Sequence, residues 1–373
     1  MRWLRAMVLL GCILITTVSL ATGCAAPTTP EQPTSVHHGD KGRVSTTDTG
    51  LTLDRRPWWP AGFNAYQLGT DWSVNRGCGA TVDLDEYFGQ LPARALTRIN
   101  LFSMFVVNKN TGLIDFAPLD RVFAAAKRHR QMVLPVLTGS SGDCEDHEFK
   151  ERDWYVDGWQ HEESPGGMTF ADWMTTAVTR WKNESTIAGW ELVGEPEASV
   201  CGPGGCAWQN RQCPTGGAQV LRTFFDTAGA RLHELDPDRI LFAGFIGGDQ
   251  CGFEGDDLST VGASPQLDVL DFHDYGSETT LYGPAGSNLP TRIRQARALR
   301  KPLMVNEIGI HAGSCLPTST RAAQFRSRIA EQRELGTAGA LLWAFVPDPR
   351  PNECTYDIGF DDPAWQIVAD VVD

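Results

Sequence analysis

From about residue 59 onward the chain alternates short apolar runs with longer amphipathic stretches. Apolar runs at 60–66, 96–103, 132–138, 188–194, 240–245, 267–273, 303–308 and 338–345 read as buried strands. The stretches at 119–129, 170–182, 218–235, 288–299, 319–335 and 364–372 read as helices, and those due after the first and fifth runs are weakly marked. Strictly alternating strand and helix predicts a parallel sheet with crossover helices. Eight such units in about 320 residues fit a single α/β domain, a (β/α)8 TIM barrel. A doubly wound open sheet is the alternative. No G-x-G-x-x-G follows the first run, however, and no G-x-x-x-x-G-K-[ST] occurs anywhere.

The connections sort by length. Helix-to-strand links are short, as at 300–302 and 336–337. Strand-to-helix links are often long, at 139–169, 195–217, 246–266, 274–287 and 346–363. In a barrel the long links all lie on the catalytic face.

The first residues follow another pattern. Two arginines within residues 1–5 precede an apolar run over 6–20 and then Ala21, Thr22, Gly23 and Cys24. This reads as an export signal over 1–23 of lipoprotein type, with Cys24 as the lipidated residue. The other reading is a plain cleavable signal with an incidental cysteine. Residues 24–50 are rich in Pro, Thr, Ser and Gly and read as a flexible tether, leaving 51–373 as the catalytic domain. The expected location is therefore outside the membrane, lipid-anchored or secreted. Ten cysteines occur, and setting Cys12 and Cys24 aside leaves eight. After export an even number suggests disulfides, whose pairing the sequence leaves open. All eight lie in strand-to-helix segments, so the bridges would staple loops over the barrel mouth.

Composition narrows the class. The chain is 42% hydrophobic and 21% charged, as an ordinary globular protein is. A net charge of −14 argues against binding a phosphate backbone, so no nucleic acid partner is expected. No C-x-x-C or H-E-x-x-H occurs, so neither a metal nor a cofactor is expected, and the domain is expected to be a monomer. Of the twelve tryptophans, Trp173, Trp181 and Trp190 read as core. The loop aromatics Trp72, Trp154, Tyr155, Trp159, Trp208 and Tyr282 divide evenly between sugar platforms and structural packing.

Two glutamates stand at strand ends: Glu195, in W-E-L-V-G-E-P over 190–196, and Glu307, in V-N-E-I-G over 305–309. Strands four and seven face each other across a barrel mouth. A carboxyl pair about 5 Å apart there can cleave a glycosidic bond with retention, one group as acid/base and one as nucleophile. The alternative is two unrelated glutamates binding helix ends or arginines.

The segment 190–196 resembles the strand-four W-E-L-x-N-E-P motif of glycoside hydrolase family 5 in clan A, the cellulases, β-mannanases and their relatives. Glu307 with its neighbours resembles that family's strand-seven nucleophile segment. Phe272, His273, Asp274 and Tyr275 resemble its strand-six H-x-Y, and Leu342 to Phe345 its strand-eight tryptophan. Arg98 matches its strand-two arginine. The resemblance spans about residues 55–373. It implies Glu195 as acid/base, Glu307 as nucleophile and Tyr275 as a hydrogen-bond partner of Glu307. It further implies that His273 touches substrate or supports the acid/base, that Arg98 lowers the Glu307 pKa, and that Trp343 is a floor under the sugar.

One position departs from the family. Gly194 stands where Asn normally bonds the sugar 2-hydroxyl. Asn64, Asn108 and Asn306 are candidate substitutes, with Asn64 carried forward. A furanose substrate, as for a β-galactofuranosidase, would also alter that contact. The sequence thus implies a retaining hydrolase of β-linked glycans, endo-acting like a mannanase or cellulase, or exo-acting. The competing reading is a carbohydrate-binding lipoprotein with a weakened site. A serine esterase is poorly placed, because no G-x-S-x-G occurs.

Overall fold

The computed structural model describes residues 43–145, 147–276 and 286–372. The expected leader, Cys24 and Tyr282 lie outside the described residues. The strands are Ala61–Asn64 (β1), Leu96–Asn100 (β2), Met132–Val136 (β3), Gly189–Glu191 (β4), Ile240–Phe242 (β5), Leu270–Asp274 (β6), Leu303–Gly309 (β7) and Ala340–Trp343 (β8). They form one parallel sheet of eight in the order β5-β4-β3-β2-β1-β8-β7-β6. A parallel bridge between Phe242 and Val269 closes it into a barrel.

After each strand comes one of the helices Leu84–Gln90 (α1), Ala117–Arg128 (α2), Phe170–Trp181 (α3), Gly217–Leu235 (α4), Asp257–Gly262 (α5), Leu289–Ala298 (α6), Thr318–Leu335 (α7) and Ala364–Val371 (α8). Local chemistry sets where they start. Asp83, Thr169 and Asn288 accept first-turn amide hydrogens of α1, α3 and α6, filling donors a helix start leaves open. Gly336 ends α7 in the left-handed conformation at φ +92°. The longer helices turn an apolar stripe, such as Phe170, Trp173, Met174 and Trp181 of α3, toward the barrel wall.

Residues 43–50, expected to belong to the tether, are folded. Val44–Thr46 pairs antiparallel with Leu51–Leu53, which pairs with Arg56–Trp58. Val44, Leu51, Leu53 and Trp58 are buried against Leu96, Met132, Ile240, Met304 and Leu341 at the strand starts, closing the base of the barrel. The folded unit therefore includes residues 43–50, because alternate apolar side chains there meet an otherwise open barrel end.

The mouth is stapled. Disulfides join Cys78 to Cys144, Cys201 to Cys206, Cys213 to Cys251 and Cys315 to Cys354. They link the loop after β1 to that after β3, close the loop after β4 on itself and join it to that after β5, and tie the loop after β7 to that after β8. Among the described residues no helix is long and apolar enough to cross a membrane.

Candidate active site

The site is built on strand ends. Arg98, two residues from the end of β2, lies buried in the barrel axis. Its Nε and Nη2 donate to Glu191 Oε2 and Oε1 at 2.9 and 2.6 Å, and Nη1 donates to Glu307 Oε1 at 2.7 Å and to Asn64 Oδ1 at 2.9 Å. Burial opposes the guanidinium charge, but Glu191 and Glu307 outweigh it and hold Arg98 above its ordinary pKa. Asp271, also buried, takes hydrogen bonds from Gly244 N at 2.5 Å and Asn306 Nδ2 at 2.6 Å. Burial, reinforced by Glu191, pushes its carboxyl well above the usual range. Beneath the mouth there is thus one guanidinium among three carboxyls, and it hydrogen-bonds only Glu191 and Glu307 of them.

Strand irregularities aim the two mouth glutamates. In β7 the register shifts between Val305 and Glu307, and a bulge there re-aims the following side chain inward. Glu307 accepts from Tyr275 Oη at 2.5 Å as well as from Arg98. Gly309 makes room for that tyrosine, since a Cβ there would sit 2.2 Å from its ring. Glu195 adopts a left-handed backbone at φ +56°, held by its amide donating to Gly244 O at 2.9 Å and its carbonyl accepting from Ser140 Oγ. Gly244 itself admits no side chain: at φ +70° a Cβ would lie 2.3 Å from Val193 O.

The two carboxylates meet at His273. Its Nδ1 lies 2.7 Å from Glu195 Oε1 and 3.4 Å from Glu307 Oε2, and all three groups have ligand atoms within 4.8 Å of one another. Burial lowers the His273 pKa to about 4, so the ring is neutral near pH 7. As the Nδ1–H tautomer it donates to Glu195, leaving Nε2, an acceptor, with no partner among the described residues. Partial burial in the cleft, with Asp143 and Glu197 adding repulsion, raises Glu195 to about 7. Burial also raises Glu307, against the pull of His273 and Arg98. Arg98 therefore acts in the expected direction, but desolvation is the larger effect. The arrangement offers one carboxyl poised to give a proton beside another held by a cation and a phenol.

Of the anticipated residues, Glu195, Glu307, Arg98, His273, Tyr275 and Trp343 converge on this cleft. Trp343 lies near-parallel to Tyr66, with 12° between planes and centroids 5.6 Å apart, and both line a cavity of about 580 Å³ with Glu195 and Glu307. The Trp343–Ala344 peptide is cis. Asn64 is not free to meet a sugar: its amide is spent on Arg98 and on Asn306 O at 2.7 Å. Asn306 is likewise turned to Asp271. Asn100, one strand-face position beyond Arg98, lines the cavity instead. Gly194 faces Arg98, where a Cβ would come 3.2 Å from Nη2. Sequence reading passed over Glu191, Asp271 and Asn100. The signal available was spacing: Asp271 and Asn100 stand two residues from His273 and Arg98, on the same strand faces.

A second cavity, about 640 Å³, adjoins the first across Glu195 and is lined by residues of the loops after β4 and β5, including Trp208, Arg211 and Gln250. Trp154, Tyr155 and Trp159 are not platforms: they are buried against Phe170 and Phe224. Trp208 and Trp72 stand exposed.

An eight-stranded parallel barrel with one glutamate just past β4 and another within β7, meeting at its mouth, is the arrangement that the resemblance to clan A implied. No family model matches the chain. It is 26% identical over 314 residues to a protein named probable mannan endo-1,4-beta-mannosidase C from Aspergillus terreus, covering 73% of this chain and 74% of that one. In fold it is similar to the endo-1,4-beta-mannanase of Rhizomucor miehei, with a TM-score of 0.64 at 17% identity over 87% of this chain and 96% of that one. It is also similar to a glycoside hydrolase family 5 mannosidase of the same fungus, with a TM-score of 0.59 at 16% identity over 88% and 95%. The resemblance to family 5 carried by the motifs is thus matched by distant sequence similarity to named mannosidases and by a common fold.

Proposed function

We propose that this chain is a retaining endo-β-glycoside hydrolase whose substrate is a β-1,4-linked mannan. The observation that carries the reading is the paired environment of the two glutamates, within 4.8 Å of each other through His273. Such proximity suits double displacement, because inversion needs room for a water between the carboxyls. Glu195, protonated, gives its proton to the departing glycosidic oxygen while Glu307 Oε2 or Oε1 attacks the anomeric carbon. The second step reverses the roles: Glu195 takes a proton from water, which attacks the same carbon and frees Glu307. Tyr275 and Arg98 hold Glu307 in place, and Trp343 with Tyr66 supplies an aromatic wall for the reacting sugar. Mannan is the choice because the relatives are named for it. Endo action is favoured by room on both sides of Glu195.

Digestion of β-1,4-mannan followed by proton NMR tests this. Newly formed reducing ends should appear first as the β-anomer, and Glu307→Gln should lower turnover by about four orders of magnitude or more with an unchanged melting temperature. Initial α-anomer overturns the mechanism. Cleavage of cellulose or a galactofuranoside in preference to mannan overturns the substrate.

Export fits four disulfides, which persist in oxidising compartments. The lipid at Cys24 is tested by mass spectrometry of the mature N-terminus, where an unmodified terminus would overturn it.

A further inference from the structure

The base of the barrel carries charge of the opposite sign to the molecule as a whole. The hairpin between Leu51–Leu53 and Arg56–Trp58 turns at Asp54 and Arg55, both left-handed at φ +52° and +64°. A two-residue turn of this kind favours Gly at its second position. Arg130, just before β3, is left-handed at φ +57°, its amide donating to Lys127 O at 3.2 Å. Gly336 fills the corresponding place behind α7. Arg94, just before β2, is left-handed at φ +73°, and Arg300, before β7 and paired with Asp48, at φ +57°. Four arginines thus stand where the backbone favours glycine, all on the face away from Glu195 and Glu307.

Three of these arginines are neighbours. Arg94 N donates to Arg130 O at 2.9 Å, and Arg94 Nη2 donates to Pro57 O at 3.2 Å, beside Arg56 and its hairpin. Arg55, Arg56, Lys127 and Arg130 are exposed, and their side chains make no hydrogen bond or ion pair among the described residues. The acids close by are committed elsewhere: Asp54 takes Arg43 at 2.8 and 2.9 Å, and Asp85 takes Arg128 at 2.8 Å. Lys127 and Arg128 lie in the last turn of α2, where cations answer the helix dipole. Arg55 and Arg56 end no helix, so the dipole does not account for them. All this belongs to a chain of net charge −14. Acids gather at the mouth instead, as Asp143, Glu148, Glu151, Asp153, Glu162 and Glu163 do after β3. The exposed large apolar side chains, such as Trp72, Leu113, Val156 and Trp208, also lie in strand-to-helix loops. Whatever meets the base is therefore met by charge and not by apolar insertion.

We propose that the base docks on a membrane surface of anionic phospholipid headgroups, with Arg55, Arg56, Arg94 and Arg130 as its contacts. Such a surface is broad and negatively charged and asks for no pocket, which matches a patch of exposed cations on a hairpin and two loops. Arg43, the first described residue, lies on this same face, its Nη1 donating to Ser185 O at 2.9 Å. The choice of a membrane over another polyanion rests on the lipid reading of Cys24 above; the charged face itself does not. The separation of charge orients the molecule, because headgroups attract the basic base and repel the acidic mouth.

The test uses the chain from residue 25, without leader or lipid, and its triple variant Arg55→Gly/Arg56→Thr/Arg130→Gly. Glycine suits the two left-handed positions and threonine the strand, so the variant should melt no lower than wild type. Co-sedimentation is measured with vesicles of phosphatidylcholine alone and of phosphatidylcholine and phosphatidylglycerol in equal parts. Wild type should bind the mixed vesicles only, and less as salt rises. At about fivefold per cation, the triple variant should bind them about a hundredfold more weakly. Arg152→Gln, in the loop after β3, should bind as wild type does. Equal sedimentation with both vesicles, sedimentation with neither, or equal binding by wild type and triple variant overturns the proposal. A loss in Arg152→Gln as large as the triple variant's overturns it too, and so does retention on polyphosphate without vesicle binding. An unmodified mature N-terminus alongside vesicle binding fails the lipid reading and leaves the docking face standing.

Discussion

Glu195 and Glu307 differ in what compensates their removal from water. Glu307 accepts hydrogen bonds from a guanidinium and a phenol, both of which favour its charged form. Glu195 has a neutral imidazole beside it and acidic neighbours in Asp143 and Glu197. The pH profile follows from these directions. In the proposed mechanism the working state needs Glu307 ionised and Glu195 protonated. Activity should fall on the acid side as pH drops through the raised Glu307 value, and on the alkaline side as pH rises through about 7, where Glu195 loses its proton. Glu195→Gln should remove the alkaline limb. It should also slow mannan hydrolysis by about 10²–10⁴, with a smaller loss on an aryl mannobioside whose leaving group needs no proton. An alkaline limb that persists in this variant would assign that titration to another group. The His273 ring, at about 4, titrates too low to account for it.

At the scale of elements, the loops after β4 and β5 behave as one unit because Cys213 and Cys251 join them. The bridge closes a segment of 38 residues, which in the chain-entropy account stabilises the fold by about 4 kcal/mol. The double variant Cys213→Ser/Cys251→Ser should therefore melt several degrees lower. Equal melting temperatures by calorimetry would place the bridge outside the stabilising set. Elements were largely legible in the sequence, since each strand and long helix has its own apolar period. The faint helices proved to be the short ones, α1 and α5, with too few turns for a stripe. The run at 188–194 over-extended β4 because regular pairing stops at Glu191 and Glu195 turns into the left-handed region at φ +56°. Trp154, Tyr155 and Trp159 looked like loop aromatics, but their segment coils into a helical turn that packs on α3 and α4. The mouth glutamates were legible because they interrupt apolar strand ends. The Arg98–Glu191–Asp271 layer was not, because its partners lie on separate strands and meet only when the barrel closes.

For the whole molecule, the barrel has two ends with different demands. The mouth is polar and stapled, while the base presents Leu96, Met132, Leu134, Ile240, Phe242, Met304 and Leu341 to whatever covers it. The cover is the sheet of 44–58, fastened by Trp58 Nε1 donating to Arg94 O at 3.0 Å and by Arg43 Nη1 donating to Ser185 O at 2.9 Å. Burying Val44, Leu51, Leu53 and Trp58 stabilises the fold by roughly 6 kcal/mol or more at about 1.5–3 kcal/mol per side chain. That is comparable to the whole net stability of a typical domain, about 5–15 kcal/mol. A chain beginning at residue 59 should then be insoluble or molten, although every residue of the cleft is present. A chain beginning at residue 43 should fold and cleave mannan as the intact protein does. Soluble yield and thermal melting by circular dichroism separate the two, and a soluble chain from residue 59 with an unshifted melting temperature would refute the covering role.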